Sequence, residues 1–179
     1  YFMKGGQLLM GYSNLNLLVM HGNQGGRWVR WYPPLRGLIL NVDGSLMNGI
    51  MRGGGVLGDS CGSVLVAVNV FFGLGSSLGA EARALSTRIM VCWRANFQVA
   101  EVDLDSKTLV RSVQGVYETS WDLVYVTRRC ALAIDFWYIV KHCWREANIA
   151  TDTLSRVRRY EEELVIYDII VSLPLECKE

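Results

Sequence analysis

Apolar runs begin after residue 37 and predict three consecutive β-strands. The run 38–42 is short and apolar and ends at Asp43, which is typical of a buried central strand followed by a turn. A second strand is predicted at 53–59, entered through glycines, and a third at 64–72, which is rich in Val and Phe. Because the three strands follow one another directly, we expect an antiparallel meander.

The apolar spacing then changes to that of helices alternating with strands. Apolar residues recur at three- and four-residue steps through 80–94, which predicts a helix with one apolar face. A fourth strand at 98–105, a short helix at 106–113, a fifth strand around 136–140 and a last helix at 147–159 follow. This order predicts an α/β fold in which helices flank a mixed five-stranded sheet, with the meander as its first three strands.

The two ends of the chain lack such patterns. Residues 1–30 mix Gly, Asn and Gln with Leu and Met, and we interpret them as a linker or N-terminal arm. The pair Pro33-Pro34 stops any regular element, so the predicted domain covers 31–160. Residues 161–179 form a C-terminal tail without a clear pattern. The first residue is Tyr1 rather than Met, and we expect a chain cut from something longer.

Composition excludes several classes of protein. Of the 179 residues, 51% are hydrophobic and 20% are charged, so the chain is neither disordered nor a solvating tail. The 18 basic residues nearly balance the 17 acidic ones, so any nucleic-acid surface must be local or must work through metal ions. The five cysteines include no Cys-x-x-Cys pair, which favours free thiols in a reducing compartment over a zinc site. No apolar run reaches the ~18 residues of a membrane span.

Three carboxylates are placed where the predicted sheet would bring them together. Asp43 ends the first strand, Glu81 lies at the rim of the apolar face of the long helix, and Asp105 ends the fourth strand. If the first and fourth strands are neighbours, these side chains converge at one end of the sheet. Clustered carboxylates repel one another, and a hard divalent cation relieves this repulsion by taking oxygen ligands. Two such ions can clamp the attacking and leaving oxygens of a phosphodiester.

Each of these residues has a plainer interpretation when it is taken alone. Asp43 followed by Gly is often only a turn, Glu81 can complement a helix dipole, and Asp105 can cap the next helix. Asp152 lies on what is usually a solvated helix face, and His142 could be an ordinary loop histidine. The prediction therefore depends on the order and spacing of the whole set rather than on any one member.

Several short segments form an ordered set of motifs. They are Trp-Tyr-Pro-Pro-Leu-Arg-Gly at 31–37, Leu-Asn-Val-Asp-Gly-Ser at 40–45, Gly-Gly-Val-Leu at 54–57, Leu-Gly-Ala-Glu-Ala-Arg-Ala-Leu at 78–85, residues 101–106, His-Cys-Trp-Arg-Glu-Ala-Asn at 142–148 and Thr-Asp-Thr-Leu-Ser at 151–155. This set resembles the ribonuclease H domain of plant proteins and plant non-LTR retroelements, over roughly two thirds of the chain. Each motif alone is weak evidence for this resemblance, whereas the ordered set is strong evidence. The fold that the resemblance implies agrees with the predicted order of strands and helices.

The resemblance implies endonucleolytic cleavage of the RNA strand of an RNA–DNA hybrid, with two Mg²⁺ or Mn²⁺ ions as cofactors. The family's four acidic ligands would map onto Asp43, Glu81, Asp105 and Asp152. Its loop histidine, thought to help with product or proton handling, would map onto His142. Asp103 lies on the same strand face as Asp105, so the third ligand stays open between the two, and the serine after Asp105 favours that residue.

A second function stays open beside the first, that of a retroelement-derived domain that binds nucleic acid with weak or no catalysis. The modest net charge and the apolar residues of the loop 46–52 support this alternative. The resemblance also implies a nucleic-acid partner, no membrane partner, a monomer that is part of a longer reverse-transcriptase polyprotein, and a nuclear or cytoplasmic rather than secreted location. Trp144 could stack on a base or sugar, but we expect it to pack in the core.

Overall fold

The computed structural model describes residues 21–24, 27–30, 32–117, 123–124, 126–128, 130, 139–156 and 164–168. The strands are β1 (His21–Gln24), β2 (Arg27–Arg30), β3 (Leu38–Met47), β4 (Ile50–Gly58), β5 (Val64–Leu74), β6 (Val99–Leu104), β7 (Ile139–His142) and β8 (Leu164–Asp168). The helices with described bounds are α1 (Ser77–Arg94), α2 (Lys107–Val113) and α3 (Ile149–Arg156), and a 3₁₀ turn spans Arg145–Ala147. Within these described ranges, no helix has the length and apolar character that a membrane crossing requires.

The meander of β3, β4 and β5 is present, but all three strands are longer than the apolar pattern predicted. β3 continues past Asp43 to Met47, and β4 begins at Ile50. Asn48 and Gly49 form the two-residue connection, with φ values of 53° and 76°. Positive φ at both positions is what a type I′ hairpin turn requires, and Asn-Gly adopts it readily. Asp43 therefore lies within a strand and not at its end, which corrects the prediction.

The main sheet has six strands in the order β7-β6-β3-β4-β5-β8. β6 lies parallel to β3, and β7 lies parallel to β6, whereas the other neighbouring pairs are antiparallel. The connection from β5 to β6 runs through α1, which packs against β3 and β4. The mixed sheet flanked by helices confirms the predicted α/β class, with one strand more than the five expected.

The additional strand comes from the predicted C-terminal tail. β8 pairs antiparallel with residues 66–70 of β5, and Val165 is buried in this pairing. In the predicted N-terminal arm, β1 and β2 pair with each other and lie beside the 3₁₀ turn. The parts of the predicted fifth strand and last helix at 136–138 and 157–159 fall outside the described residues, as do residues 1–20 of the arm and 169–179 of the tail.

Glycines on β4 let helices approach both faces of the sheet. Successive residues of a strand point to opposite faces. A Cβ at Gly53 would lie 2.8 Å from the Ala84 Cβ of α1, and a Cβ at Gly55 would lie 2.5 Å from the Arg88 Nε of the same helix. A Cβ at Gly54 would instead lie 2.6 Å from the Ser155 backbone N of α3. The sheet is therefore enclosed between α1 and α3, and both helices rest almost directly on its backbone.

The core between α1 and the sheet follows the predicted apolar face, with one exception. Ala82, Leu85, Ile89 and Cys92 are buried as predicted, whereas Trp93 is 72% exposed. Trp93 is in the last turn of α1, one residue before the helix ends, and the preceding Cys92 is the residue of that turn that faces the core. The other buried members of this core are Leu40, Val42, Leu57, Ala84, Val99, Val102, Leu104, Leu109, Val110, Val113, Leu123, Cys130 and Val140.

Candidate active site

The pairing of β3 with β6 places two carboxylates side by side. The parallel register ends with Val42 opposite Leu104, and the next residues along the two strands are Asp43 and Asp105. β6 stops at Leu104, and Ser106 caps α2 through its side chain, so the chain turns away directly after Asp105. The expected adjacency of the first and fourth predicted strands is thereby confirmed.

Glu81 reaches the same place because α1 lies directly on β3 at Gly44. A Cβ at Gly44 would overlap the backbone of Glu81, so this approach requires glycine. The Gly44 backbone N donates a hydrogen bond to Glu81 Oε2 at 3.2 Å. The start of the helix is fixed by Ser76, whose Oγ accepts a hydrogen bond from the Gly79 backbone N at 3.0 Å. The glycine that follows Asp43 is thus a packing residue within β3 and not a turn residue.

The three carboxylates form one group. Asp43, Glu81 and Asp105 each contribute an oxygen that lies within 4.8 Å of the other two. Burial is the main cause that raises the pKa of Asp43 to about 7 and the pKa values of Glu81 and Asp105 above their usual range, and neighbouring carboxylates add to the effect. Each raised pKa therefore indicates a carboxyl group whose charged form is poorly solvated at its position.

This group fits a hard divalent cation. Asp105 Oδ1 is buried and accepts no hydrogen bond from the residues that the structure describes. A buried carboxylate oxygen without a partner is costly, and a cation removes that cost. A donor set made only of oxygens is what Mg²⁺ and Mn²⁺ prefer. The residues present are therefore suited to such an ion.

Asp152 lies outside this group and is held by two arginines. Its Oδ1 is 2.7 Å from Nη2 of Arg145 and 2.8 Å from Nη2 of Arg156. Arg145 Nε is also 3.9 Å from Asp105 Oδ2, so one guanidinium bridges Asp152 and the group of three. The charge of Asp152 helps to raise the pKa values of Asp43 and Asp105. The sequence motif contained Arg145 but gave no signal of this bridge, because the bridge depends on how α3 and β6 are placed.

Two buried polar residues attach the start and end of α3 to β3. Asn148 Nδ2 donates to the Val42 carbonyl oxygen at 2.9 Å, and Asn41 Nδ2 donates to Asn148 Oδ1 at 3.4 Å. Ser155 Oγ donates to Asp43 Oδ2 at 2.5 Å. The sequence offers Ser155 only as the last residue of the motif at 151–155 and gives no signal of this hydrogen bond.

His142 and Trp144 lie at the rim of the group. Burial and the charge of Lys107 lower the pKa of His142, although a hydrogen bond to the Asp105 backbone opposes the change. The His142 and Trp144 rings meet edge to face with centroids 5.7 Å apart, and Lys107 Nζ lies 5.1 Å from the Trp144 ring centroid. Trp144 is 47% exposed, so the prediction of core packing is wrong. Trp144 immediately precedes the 3₁₀ turn, on extended backbone.

Asp103 is buried but lies apart from the group. It is paired in register with Lys141 of β7. Burial raises the pKa of Asp103 to about 6, and the charge of Lys141 opposes this rise. Lys141 Nζ itself lies 2.6 Å from Glu101 Oε2. Of the two candidates for a third ligand, Asp105 is the one that the structure places with Asp43 and Glu81.

The mixed six-stranded sheet flanked by helices has the ribonuclease H fold. The sequence also matches the model of the reverse transcriptase-like family over residues 41–157. The chain belongs to this family, whose match spans the whole acidic group together with Asp152 and His142.

Three solved structures illustrate the likeness. RNase H1 from the halophilic archaeon Halobacterium salinarum NRC-1 has a TM-score of 0.62 and 20% identity, over 66% of this chain and 93% of that chain. LC11-RNase H1 in complex with an RNA/DNA hybrid has a TM-score of 0.59 and 24% identity, over 65% of this chain and 92% of that chain. The protease–reverse transcriptase of prototype foamy virus has a TM-score of 0.57 and 16% identity, over 74% of this chain and 22% of that chain. None of the curated proteins matches this chain.

Proposed function

We propose that this chain is a metal-dependent endoribonuclease that hydrolyses the RNA strand of an RNA–DNA hybrid. The observation that carries the proposal is the meeting of one oxygen each from Asp43, Glu81 and Asp105 within 4.8 Å. Family membership and the likeness to RNase H1 structures, one of them solved with an RNA/DNA hybrid, support the choice of substrate.

Two Mg²⁺ or Mn²⁺ ions are the proposed cofactors. Asp43, Glu81, Asp105 and Asp152 would hold them. Bound ions would supply the activation of a water molecule and would neutralise the charge that develops on the phosphate. The raised pKa values of the three grouped carboxylates and the partnerless Asp105 Oδ1 support this assignment, because both indicate negative charge that the protein alone leaves unbalanced.

Two further residues would act on the substrate. Arg145 bridges Asp152 and Asp105 and is more than half exposed, so its guanidinium could donate to a phosphate oxygen of the RNA strand. His142 lies beside Asp105, and its lowered pKa favours a neutral ring, which can take up a proton and return it. The proposed products are a 5′-phosphate and a 3′-hydroxyl. Discrimination for RNA would rest on contacts to the 2′-hydroxyl.

We infer in addition that the domain is part of a longer protein of the reverse transcriptase type. The likeness to the foamy virus protease–reverse transcriptase supports this inference, since the match covers 74% of this chain but only 22% of the viral one.

A cleavage assay with separately labelled strands tests the proposed function. The chain is incubated with an RNA–DNA hybrid, a DNA duplex and an RNA duplex, each in Mg²⁺, Mn²⁺ or EDTA. We expect cuts only in the RNA strand of the hybrid and only in the presence of metal. Cleavage of the hybrid in EDTA, or of the DNA duplex at a comparable rate, would contradict the proposal.

A domain that binds hybrids without cutting them is the second candidate. One observation favours it: the Oδ1 atom of Asp152 is engaged by both Arg145 and Arg156, and Asp152 stands apart from the group of three. Hybrid binding that persists in EDTA, with no turnover in either metal, would select this candidate over the first.

A further inference from the structure

We infer that Ser155 is a positioning residue that holds the Asp43 carboxylate in the orientation needed to bind a divalent ion. This inference rests on the proposed metal-dependent function. Ser155 Oγ donates to Asp43 Oδ2 at 2.5 Å, and the two residues are 0% and 1% exposed. Such a short distance is typical of a hydroxyl that donates to a charged carboxylate. Among the residues that the structure describes, Ser155 makes the only hydrogen bond to the Asp43 side chain.

The Ser155 hydroxyl has a second acceptor in reach. Its Oγ lies 2.8 Å from the carbonyl oxygen of Asp152, three residues earlier in α3. A hydroxyl has one proton to donate, and a charged carboxylate accepts it more strongly than a peptide carbonyl does. A carboxylate that binds metal is deprotonated, so the proton is directed to Asp43 in the metal-binding state.

The backbone of Ser155 is held between two strands. Ser45 Oγ donates to the Ser155 carbonyl oxygen at 2.6 Å, and Ser45 is on the same face of β3 as Asp43 because the two residues are two positions apart along the strand. Gly54 lies opposite Asp43 on β4 and leaves room for the last turn of α3. The same helix carries Asp152. Ser155 therefore links two of the four proposed acidic ligands through one short helix.

Loss of the hydroxyl would free the Asp43 carboxylate to rotate. We expect Ser155→Ala to weaken Mn²⁺ binding about 10-fold, since removal of a hydrogen-bond partner of a metal ligand costs roughly 10–100-fold in affinity. Half-maximal cleavage of the hybrid should then need about 10-fold more metal. The rate at saturating metal should stay within about 3-fold, because every acidic ligand remains.

Isothermal titration calorimetry with Mn²⁺ measures this affinity without relying on cleavage. Ser155→Cys fills nearly the same space with a weakly donating thiol, and we expect it to behave like Ser155→Ala. Ser112→Ala is the matched control, because Ser112 is a buried serine of α2 whose Oγ has no hydrogen-bond partner in the described part of the chain. The Ser112→Ala variant should bind Mn²⁺ with the same affinity as the unchanged chain. Circular dichroism establishes that each variant is folded.

The outcomes separate this inference from the proposed function. Unchanged Mn²⁺ affinity in folded Ser155→Ala and Ser155→Cys would overturn the inference, and so would an equal loss in Ser112→Ala. Failure of both Ser155 variants to fold would assign the residue a purely structural role and would overturn it as well. If the unchanged chain binds Mn²⁺ but cuts no hybrid, only the proposed function fails, and the calorimetry still decides the role of Ser155. A chain that binds no Mn²⁺ would overturn both.

Discussion

Asp43 and Asp105 are neighbours because β3 and β6 end their pairing at the same level, with Val42 opposite Leu104. Burial then raises the pKa of Asp43 to about 7, so that a metal-free chain holds part of its Asp43 in the protonated form near neutral pH. A divalent ion must compete with these protons, and it binds more strongly as the pH rises. The chemistry of each residue in the group therefore depends on how the other two are placed.

The third acidic ligand can be assigned with two matched substitutions. We expect Asp105→Asn to lower the rate of hybrid cleavage in Mg²⁺ by about 100-fold or more, because it removes one charge from the group that would hold the ion. Asp103→Asn is the matched substitution two residues earlier, and it should keep the cleavage rate within about 3-fold of that of the unchanged chain. Single-turnover rates on one labelled hybrid give the comparison. A larger loss in Asp103→Asn than in Asp105→Asn would assign the ligand to Asp103.

Glycines determine how closely the secondary-structure elements approach one another around the site. Gly44 lets α1 rest on β3, which brings Glu81 to Asp43. Gly54 lets α3 rest on β4, which brings Ser155 to the same carboxylate. A larger residue at Gly44 or Gly54 would displace the helix that rests there, and the polar side chains of that helix would move with it. The spacing of the elements is thus part of the site.

Gly54→Ala tests this dependence on packing. The new methyl would meet the backbone of α3 at Thr151 and Ser155, and we expect the free energy of unfolding to fall by about 1–3 kcal/mol, as is usual for overpacking. Mn²⁺ binding should weaken too, because Ser155 moves with the helix. Gly75→Ala is the control, since the three atoms nearest to its methyl all belong to the Met51 side chain and none to the backbone. Urea denaturation measures both variants, and equal losses of stability would contradict the proposed role of Gly54.

The order of strands and helices could be predicted from the sequence because it depends on local apolar spacing. The length of β3 could not be predicted in this way, because the apolar run stops at Asp43 while the pairing with β4 continues. The Asn48-Gly49 pair is the direct sequence signal for the hairpin turn, and it sets the strand ends that the apolar run does not mark. β8 could not be predicted either, since its place beside β5 depends on contacts far apart along the chain.

The candidate acids were found from their order, their spacing and the family resemblance. The order and spacing of residues along the chain do not give the distances between helices and strands in the folded protein. The bridge that Arg145 makes between Asp152 and Asp105 depends on how α3 and β6 are placed, and the hydrogen bond from Ser155 to Asp43 depends on the docking of α3. The exposure of Trp144 likewise depends on where the chain turns after β7.

Across the whole molecule, basic and acidic residues almost cancel, with a net charge of +1. A nucleic acid is strongly negative, and binding by a near-neutral protein requires charge that is concentrated locally. The acidic group would repel phosphates unless cations bind there. Arg145 places positive charge beside Asp105, whereas Arg156 contacts Asp152 and Lys107 contacts the Trp144 ring. The proposed activity thus requires bound metal both to attract the substrate and to cleave it.

The most direct test of the proposed site compares Asp43→Asn with the unchanged chain in hybrid cleavage at saturating Mg²⁺. Asn keeps the size of the side chain and an oxygen that can accept the Ser155 hydrogen bond, but it removes the charge at the centre of the group. We expect the cleavage rate to fall by about 100-fold or more while the chain stays folded. Equal cleavage rates in the two proteins would show that the group formed by Asp43, Glu81 and Asp105 is not the catalytic site.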